Sequence, residues 1–371
     1  MRIGVPTEVK VDEHRVAATP HAVHELVVDG HEVVVQAGAG EGSSLSDEEF
    51  VAAGAKIVDT AEEAWGEAEL VLKVKEPLAS EYGHLRDDLT LFTYLHLAAD
   101  EALTRALLDA GTTGIAYETV TGPNGSLPLL APMSEVAGRM APQVGAASLQ
   151  AEHGGRGVLL GGVPGVQPAY VVVIGAGTSG RNAAQIAAGM EARVIAMDLD
   201  IDKLRAIDAD HRGRILTLMS DRLTLEEQLS QADLVIGAVL VPGARAPKVI
   251  TRELLGVMKP GAVIVDIAID QGGCAETSRV TTHSDPTYVV DGVVHYCVGN
   301  MPGAVPHTST YGLTNVTLPH ARRLARGVRQ ALADDPDLRN GLNTHAGVLT
   351  NGPVGSAHDL DAVPPDDALG T

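Results

Sequence analysis

The stretch with the most specific chemistry is Gly175-Ala176-Gly177-Thr178-Ser179-Gly180, which follows four consecutive β-formers, Val171 to Ile174, and opens a helical run. A buried strand that turns at once into a helix needs glycine at defined places. Gly175 permits the tight turn, Gly177 lets a pyrophosphate approach the backbone, and Gly180 lets the helix pack closely on the strand. The helix start then offers free N–H groups and a positive dipole end to phosphate. Asp198 closes the next apolar run, eighteen residues beyond Gly180, where a carboxylate accepts hydrogen bonds from a ribose 2′-hydroxyl. It would repel a 2′-phosphate, so the pattern predicts NAD rather than NADP. By itself a GxGxxG is weak, because glycine turns also serve plain packing. Its place between a strand and an acid strengthens it. Glu191, in the helix-to-strand turn GMEA, is out of pattern, since glycine fits a left-handed cap more easily.

A second set comprises Arg15, Lys75, His96, Asp270 and Asn300, which stand at or just beyond the C-terminal ends of predicted strands. In doubly wound sheets ligands gather there. The fork of Arg15 suits a carboxylate, although a surface arginine paired with a nearby acid fits the spacing equally. Lys73 and Lys75 share one face of LVLKVKE. Periodicity does not choose between them, and an edge strand with solvated lysines is an equal reading. His96 ends LFTYLHL and suits proton transfer by type, with a buried structural histidine as the other reading. Asp270 closes GAVIVDIAID, a predicted strand that also holds Asp266; a turn or capping role is its alternative. These residues come from both predicted domains and are expected to converge on a cleft between them.

The elements that must position these groups alternate strand and helix from RIGVP through EVVVQAG, AKIV, LVLKVKE, LFTYLHL and TGIAYETV. Such alternation implies a parallel sheet with helices on its faces. A long connecting helix is expected to start near Ser134, with Ser134 or a neighbour as N-cap and a kink at Pro142. After Asp198 come RILTLMS, ADLVIGAVLVPG, GAVIVDIAIDQGG and VVHYCVGNMPG, making six strands with the first two of this half. The fold class is therefore α/β with two doubly wound domains, a Rossmann dinucleotide-binding domain being inserted into a discontinuous one. The expected boundaries are 1–130 plus 306–352 for the substrate domain and 131–305 for the NAD-binding domain. The Pro-, Asp- and Gly-rich stretch 353–371 reads as a mobile tail.

Composition narrows the classes. The chain has 371 residues and a formal net charge of −21, which argues against nucleic acid as a partner. Cys274 and Cys297 are the only cysteines and lack metal-ligand spacing, so neither a disulfide framework nor a metal site is expected. A reducing cytoplasm is the natural compartment. The N-terminus carries charges throughout and lacks an apolar signal core. Residues 157–180 are uncharged but contain two prolines, Gln167 and many glycines, so they read as loop plus buried strand and no membrane span is expected.

With MRIGVPTEVK, EHRVA, QAGAGEGS, LVLKVKEP, LFTYLHLA, PLLAPMSEVAGR, GGVPGVQPA, VIGAGTSG, DLVIGAVLVPG, VDIAIDQGG and NMPGAVPHTST, the chain closely resembles the alanine dehydrogenase and transhydrogenase N-terminal-domain family. The likeness spans nearly everything before the tail and implies reversible oxidative deamination of L-alanine to pyruvate and ammonium with NAD. It implies that Arg15 and Lys75 hold the substrate and that His96 and Asp270 handle protons, which selects Lys75 over Lys73. The nucleotide would lie against Ser134, Gly175, Gly177, Thr178, Ser179, Gly180, Asp198, Lys203, Ser220, Val239, Leu240, Ile267, Ile269, Asp270, Val298, Asn300 and Met301. A homohexamer is implied as well. Four residues depart from the family pattern: Gly299 stands for alanine, Glu191 for glycine and His307 for lysine or arginine, while Pro142 interrupts a helix. The alternatives are the NAD-binding component of a proton-translocating transhydrogenase and a non-catalytic NAD(H) sensor.

Overall fold

The computed structural model describes residues 1–239 and 246–370, and only the backbone of Asn124. The chain forms two compact units, Met1–Met133 with Gly303–Thr371, and Ser134–Pro302. In chain order the strands are β1 Arg2–Val5, β2 Glu32–Gln36, β3 Lys56–Val58, β4 Leu70–Leu72, β5 Thr90–Thr93, β6 Thr113–Ala116, β7 Tyr170–Ile174 and β8 Arg193–Asp198. They continue as β9 Ile215–Met219, β10 Leu234–Gly237, β11 Val263–Asp266, β12 Thr287–Val290, β13 Val293–Tyr296, β14 Leu342–His345 and β15 Val348–Leu349.

In the first unit the sheet order is β15-β14-β6-β5-β4-β1-β2-β3, parallel from β6 to β3. In the second it is β12-β13-β11-β10-β7-β8-β9, parallel except for β12. Each order runs outward from its first strand in both directions, the signature of a doubly wound sheet. Each therefore has one switch point, between β1 and β4 in the first unit and between β7 and β10 in the second. The central strands are apolar on both faces because helices cover both: β4, β5, β10 and β11 are buried throughout.

Local chemistry sets the helix starts. Ser46 and Thr60 each accept from the backbone of the residue three positions on, Glu49 and Glu63, whose carboxylates return the bond as capping boxes. Asp100, Asp221, Thr251 and Asn351 cap in the same one-way sense. Each such cap stabilises its helix by about 1 kcal/mol.

Three details differ from the expectations. The connecting helix runs Ala131–Ser148, so Ser134 lies inside its first turns rather than capping it. Pro132 explains the earlier start, since a proline in the first turn forfeits a donor that had no intrahelical partner anyway. Pro142 lies inside this helix, as expected. The second sheet has seven strands rather than six, because Asp291-Gly292, at φ 49° and 80°, folds β12 back antiparallel on β13.

The expected mobile tail is ordered over its described residues. It forms helices Gly352–His358 and Pro365–Leu369, Val354 and Leu369 are buried, and the Val363 N–H bonds to the Leu349 carbonyl at 3.0 Å. Composition missed this because a few apolar anchors and two N-terminal prolines suffice to dock short helices on an existing core. Among the described residues no helix is long and apolar enough to cross a membrane.

Candidate active site

In the first unit the expected substrate residues follow β1, β4 and β5, three adjacent parallel strands that include the switch point. Arg15 is 2% exposed, which removes the surface reading. Its Nε donates to Glu13 Oε1 at 2.6 Å, its Nη2 pairs with Glu13 Oε2, and its Nη1 meets Met133 Sδ at 3.0 Å. Burial alone would lower the pKa of this guanidinium, but the hydrogen bonds and charge of Glu13 outweigh it and hold the pKa above its ordinary value. The loop is also pinned from behind. Ser43 Oγ donates to the His14 carbonyl at 3.0 Å, Thr310 Oγ1 accepts the Val16 N–H at 3.1 Å, and His307 Nδ1 lies 2.8 Å from the Ser43 carbonyl.

The lysine pair separates cleanly in space. β4 ends at Leu72, so neither lysine lies on a strand face as the run LVLKVKE suggested. Lys73 is fully buried, with Nζ 2.9 Å from Glu81 and 3.1 Å from Glu8, a complete structural ion cluster. Glu8 then fixes the following backbone, accepting the Val74 N–H at 2.6 Å and the Lys75 N–H at 3.4 Å. Lys75 itself is buried beside Glu76, whose carboxyl its charge helps keep ionised.

His96 is not a buried structural histidine: its side chain is 41% exposed. It sits at φ 50°, a left-handed conformation that costs a β-carbon residue about 1 kcal/mol. Glu118 holds it there by accepting the His96 N–H at 2.6 Å and the Leu95 N–H at 3.1 Å. The ring stacks on Tyr94 at 5.8 Å, and Nδ1 lies 3.1 Å from Glu76 Oε2, while Glu76 Oε1 pairs with Lys10. Burial works against ionising Glu76, but its bond to His96, the charges of Lys75 and His96 and the hydrogen bond from Lys10 prevail and depress its pKa well below the usual carboxylate range.

In the second unit the three glycines have three different surroundings. A Cβ on Gly175, at φ 99°, would meet the Ala238 carbonyl at 2.5 Å. One on Gly180 would lie 1.7 Å from the Gly175 carbonyl oxygen. One on Gly177 would meet nothing within 4 Å. Two glycines are therefore demanded by the protein's own packing, and the third borders open space of the kind a pyrophosphate needs. Helix Thr178–Gly189 starts after Gly177 without a side-chain cap, so no cap consumes its first donors. Asp198, at the end of β8, accepts the Ala176 N–H at 2.6 Å and the Asp200 N–H at 2.9 Å, with Lys203 Nζ at 3.8 Å. It thus braces the glycine turn as well as facing a groove of about 690 Å³ lined by Gly175, Asp198, Ser220, Val239 and Thr251. These residues fit the adenosine and pyrophosphate of a dinucleotide.

Asp270 does not close a strand. β11 ends at Asp266, which is fully buried and consumed by the N–H groups of Ala268, Cys274 and Ala275 and the hydroxyl of Ser278. Asp270 is exposed on a 3-10 turn, Ile267–Gln271, and its Oδ1 accepts the Asn300 N–H at 3.3 Å. That bond ties the turn that carries Ile267, Ile269 and Asp270 to Asn300. Ser134 is half-buried on the connecting helix, where Gly138 packs so closely that a Cβ would lie 2.2 Å from the Ser179 carbonyl. Leu240 lies outside the described residues. The acids Glu8, Glu13, Glu76 and Glu118, which hold the polar groups of the first unit, were not singled out from the sequence. Glu13 and Glu76 are within two residues of Arg15 and Lys75, a local signal that could have found them; Glu8 and Glu118 carry none.

Known proteins resemble this chain along most of its length. The N-terminal domain of the alanine dehydrogenase/PNT family matches residues 4–137 and its C-terminal domain residues 141–352. The chain is 60% identical over 362 residues to an alanine dehydrogenase of Mycolicibacterium smegmatis, covering 97% of each chain. It is 61% identical over 350 residues to that of Mycobacterium tuberculosis, covering 94% of each. Among solved structures, an L-alanine dehydrogenase superposes with a TM-score of 0.94 at 49% identity, over 97% of this chain and 99% of the other. A transhydrogenase from Sinorhizobium meliloti is more distant, with a TM-score of 0.79 at 25% identity over 94% and 98% of the two chains. The matched domains, the identities and the shared architecture together make this chain a member of the alanine dehydrogenase/PNT family.

Proposed function

We propose that this protein is an NAD-dependent L-alanine dehydrogenase, reversibly converting alanine, NAD and water to pyruvate, ammonium, NADH and a proton. The observation that carries the reading is the set beyond β1, β4 and β5: a guanidinium held by Glu13, an ammonium at Lys75 and a half-exposed imidazole at His96. A carboxylate, a carbonyl oxygen and a transferable proton are what an α-amino or α-keto acid presents, and these groups answer them in turn.

Gly177, the start of the helix at Thr178, Ser179 and Asp198 would hold NAD, with the Asp198 carboxylate accepting from the ribose 2′-hydroxyl. Bound NAD supplies the hydride acceptor. The protein's part is to manage protons and position. The alanine ammonium must lose a proton before its α-hydrogen can leave with the bonding electrons, and we assign that proton to His96. Water then adds to the resulting imine, and the adduct collapses to pyruvate as ammonia leaves; Asp270 orients that water. Arg15 anchors the carboxylate throughout, and Lys75 polarises the carbonyl oxygen in the reverse direction. Assembly as a homohexamer in the cytoplasm completes the reading.

One assay tests it. Alanine should drive NADH formation at alkaline pH, where more amine is neutral, and pyruvate with ammonium should drive the reverse. NAD binding without alanine-dependent turnover would favour a sensor, and turnover only with a second nucleotide would favour a transhydrogenase component. Preference for NADP would contradict the role of Asp198. Near-normal turnover in His96→Ala would remove His96 from the chemistry. Sedimentation or mass photometry reads the assembly state.

A further inference from the structure

We propose that Glu76 is a positioning residue that fixes the tautomer of His96, presenting Nε2 as the basic nitrogen, and that Lys10 locks Glu76 in place for this purpose. The inference rests on the alanine dehydrogenase reading and adds a part to it.

The geometry is specific. Glu76 follows β4 and His96 follows the adjacent parallel β5, whose register sets Leu72 against Phe92 and so brings the two segments out at the same edge. Glu76 Oε2 lies 3.1 Å from His96 Nδ1. The other oxygen, Oε1, pairs with Lys10 Nζ, so the carboxylate is gripped at both ends. An ionised carboxylate has no proton to give, and its hydrogen bond to an imidazole nitrogen forms only when that nitrogen carries the proton. The neutral ring therefore holds its proton on Nδ1 and its lone pair on Nε2.

The remaining groups around His96 leave that assignment intact. Tyr94 stacks on the ring face at 5.8 Å and Glu118 binds the main-chain N–H at 2.6 Å, so neither competes for a ring nitrogen. The charge of Lys75 favours the ionised form of Glu76. When Nε2 takes the proton from the substrate ammonium, the ring becomes a cation beside Glu76, and the carboxylate stabilises it without itself being protonated. Glu76 touches neither substrate nor cofactor in this scheme. It acts through His96, as the buried acid of a catalytic triad acts through its histidine.

The direct test reads the ring in the wild-type enzyme itself. In the intact wild-type enzyme labelled with ¹⁵N-histidine, the His96 resonances, assigned by their absence in His96→Gln, should at alkaline pH show a protonated Nδ1 and an unprotonated Nε2. The opposite tautomer overturns the proposal. Glu76→Gln should lower kcat for alanine about 100-fold or more, the direction taken when a triad histidine is left in the wrong tautomer, with the Kd for NADH within twofold of wild type. Glu76→Asp, which keeps the carboxylate, should recover at least tenfold of that loss. A kcat within threefold of wild type in folded Glu76→Gln, or equal losses in the Gln and Asp variants, would also overturn it. If the wild-type protein lacked alanine turnover, the function reading would fall instead, and the ring resonances would still report on the Glu76–His96 pair.

Discussion

Gly180→Ala and Gly177→Ala test whether the glycine loop divides its work between packing and ligand approach. A methyl at 180 would lie 1.7 Å from the Gly175 carbonyl oxygen and 2.8 Å from its carbon. Both are main-chain atoms and neither can swing aside. Gly175 is in turn backed by the Ala238 carbonyl, 2.5 Å from where its own Cβ would stand, so the turn has no room to retreat. Helix Thr178–Gly189 must move off β7 by more than about 1 Å, an overpacking that costs about 3 kcal/mol. For a unit of this size that lowers Tm by roughly 6 to 12 °C.

At 177 the backbone is at φ −71°, which alanine adopts freely, and the added methyl meets nothing within 4 Å. Stability should stay within about 0.5 kcal/mol of wild type. The methyl would nonetheless stand where the pyrophosphate must come. Losing one or two charge-assisted bonds there costs about 3 kcal/mol, or about 100-fold in Kd. Thermal melts and NADH fluorescence titrations of the two variants decide the matter. A Gly180→Ala protein melting with wild type, or a Gly177→Ala protein binding NADH normally, would refute the division.

Other expectations follow from single contacts. Lys73→Met should destabilise by about 3–5 kcal/mol because Glu8 and Glu81 are left buried without a cation, and denaturant melts should show part of this recovered when Glu8→Gln and Glu81→Gln are added. Glu191 is exposed at φ 68°. Glu191→Gly should raise stability by about 0.5–1 kcal/mol by relieving a left-handed β-carbon residue, read as a higher urea midpoint at unchanged slope. Hydrogen bonds from Arg322 hold the Asp29 carboxyl at about 2 against an ordinary 3.8. A depressed carboxyl stabilises the fold in full above its ordinary pKa and loses that contribution as pH falls through the depressed one. Arg322→Gln should therefore be less stable than wild type near neutrality, with the gap closing as pH falls from about 4 toward 2; a gap constant across that window would exclude the ion pair as its source.

Much of the architecture was legible because it is written in local chemistry. Strand and helix alternation, the glycine turn after Val171–Ile174 and the acid closing β8 each depend on a residue and its near neighbours. The boundary errors arose where local rules compete: LVLKVKE and GAVIVDIAID read as long strands, yet pairing stops at Leu72 and Asp266 and leaves Lys75 and Asp270 on irregular backbone. The tail failed for the converse reason, since its ordering depends on a surface supplied by distant chain.

Residue type and spacing alone thus determined two doubly wound sheets, a nucleotide turn and a short roster of polar groups able to bind or move protons. Only tertiary structure decided what each group is paired with. Lys73 and Lys75 are alike in type and spacing, but Glu8 and Glu81 bury one as a structural ion, and Glu13, Glu76 and Glu118 aim Arg15 and His96. The charge and orientation of a side chain depend on desolvation and on partners within a few ångströms, several of which arrive from elsewhere in the chain when the sheet closes.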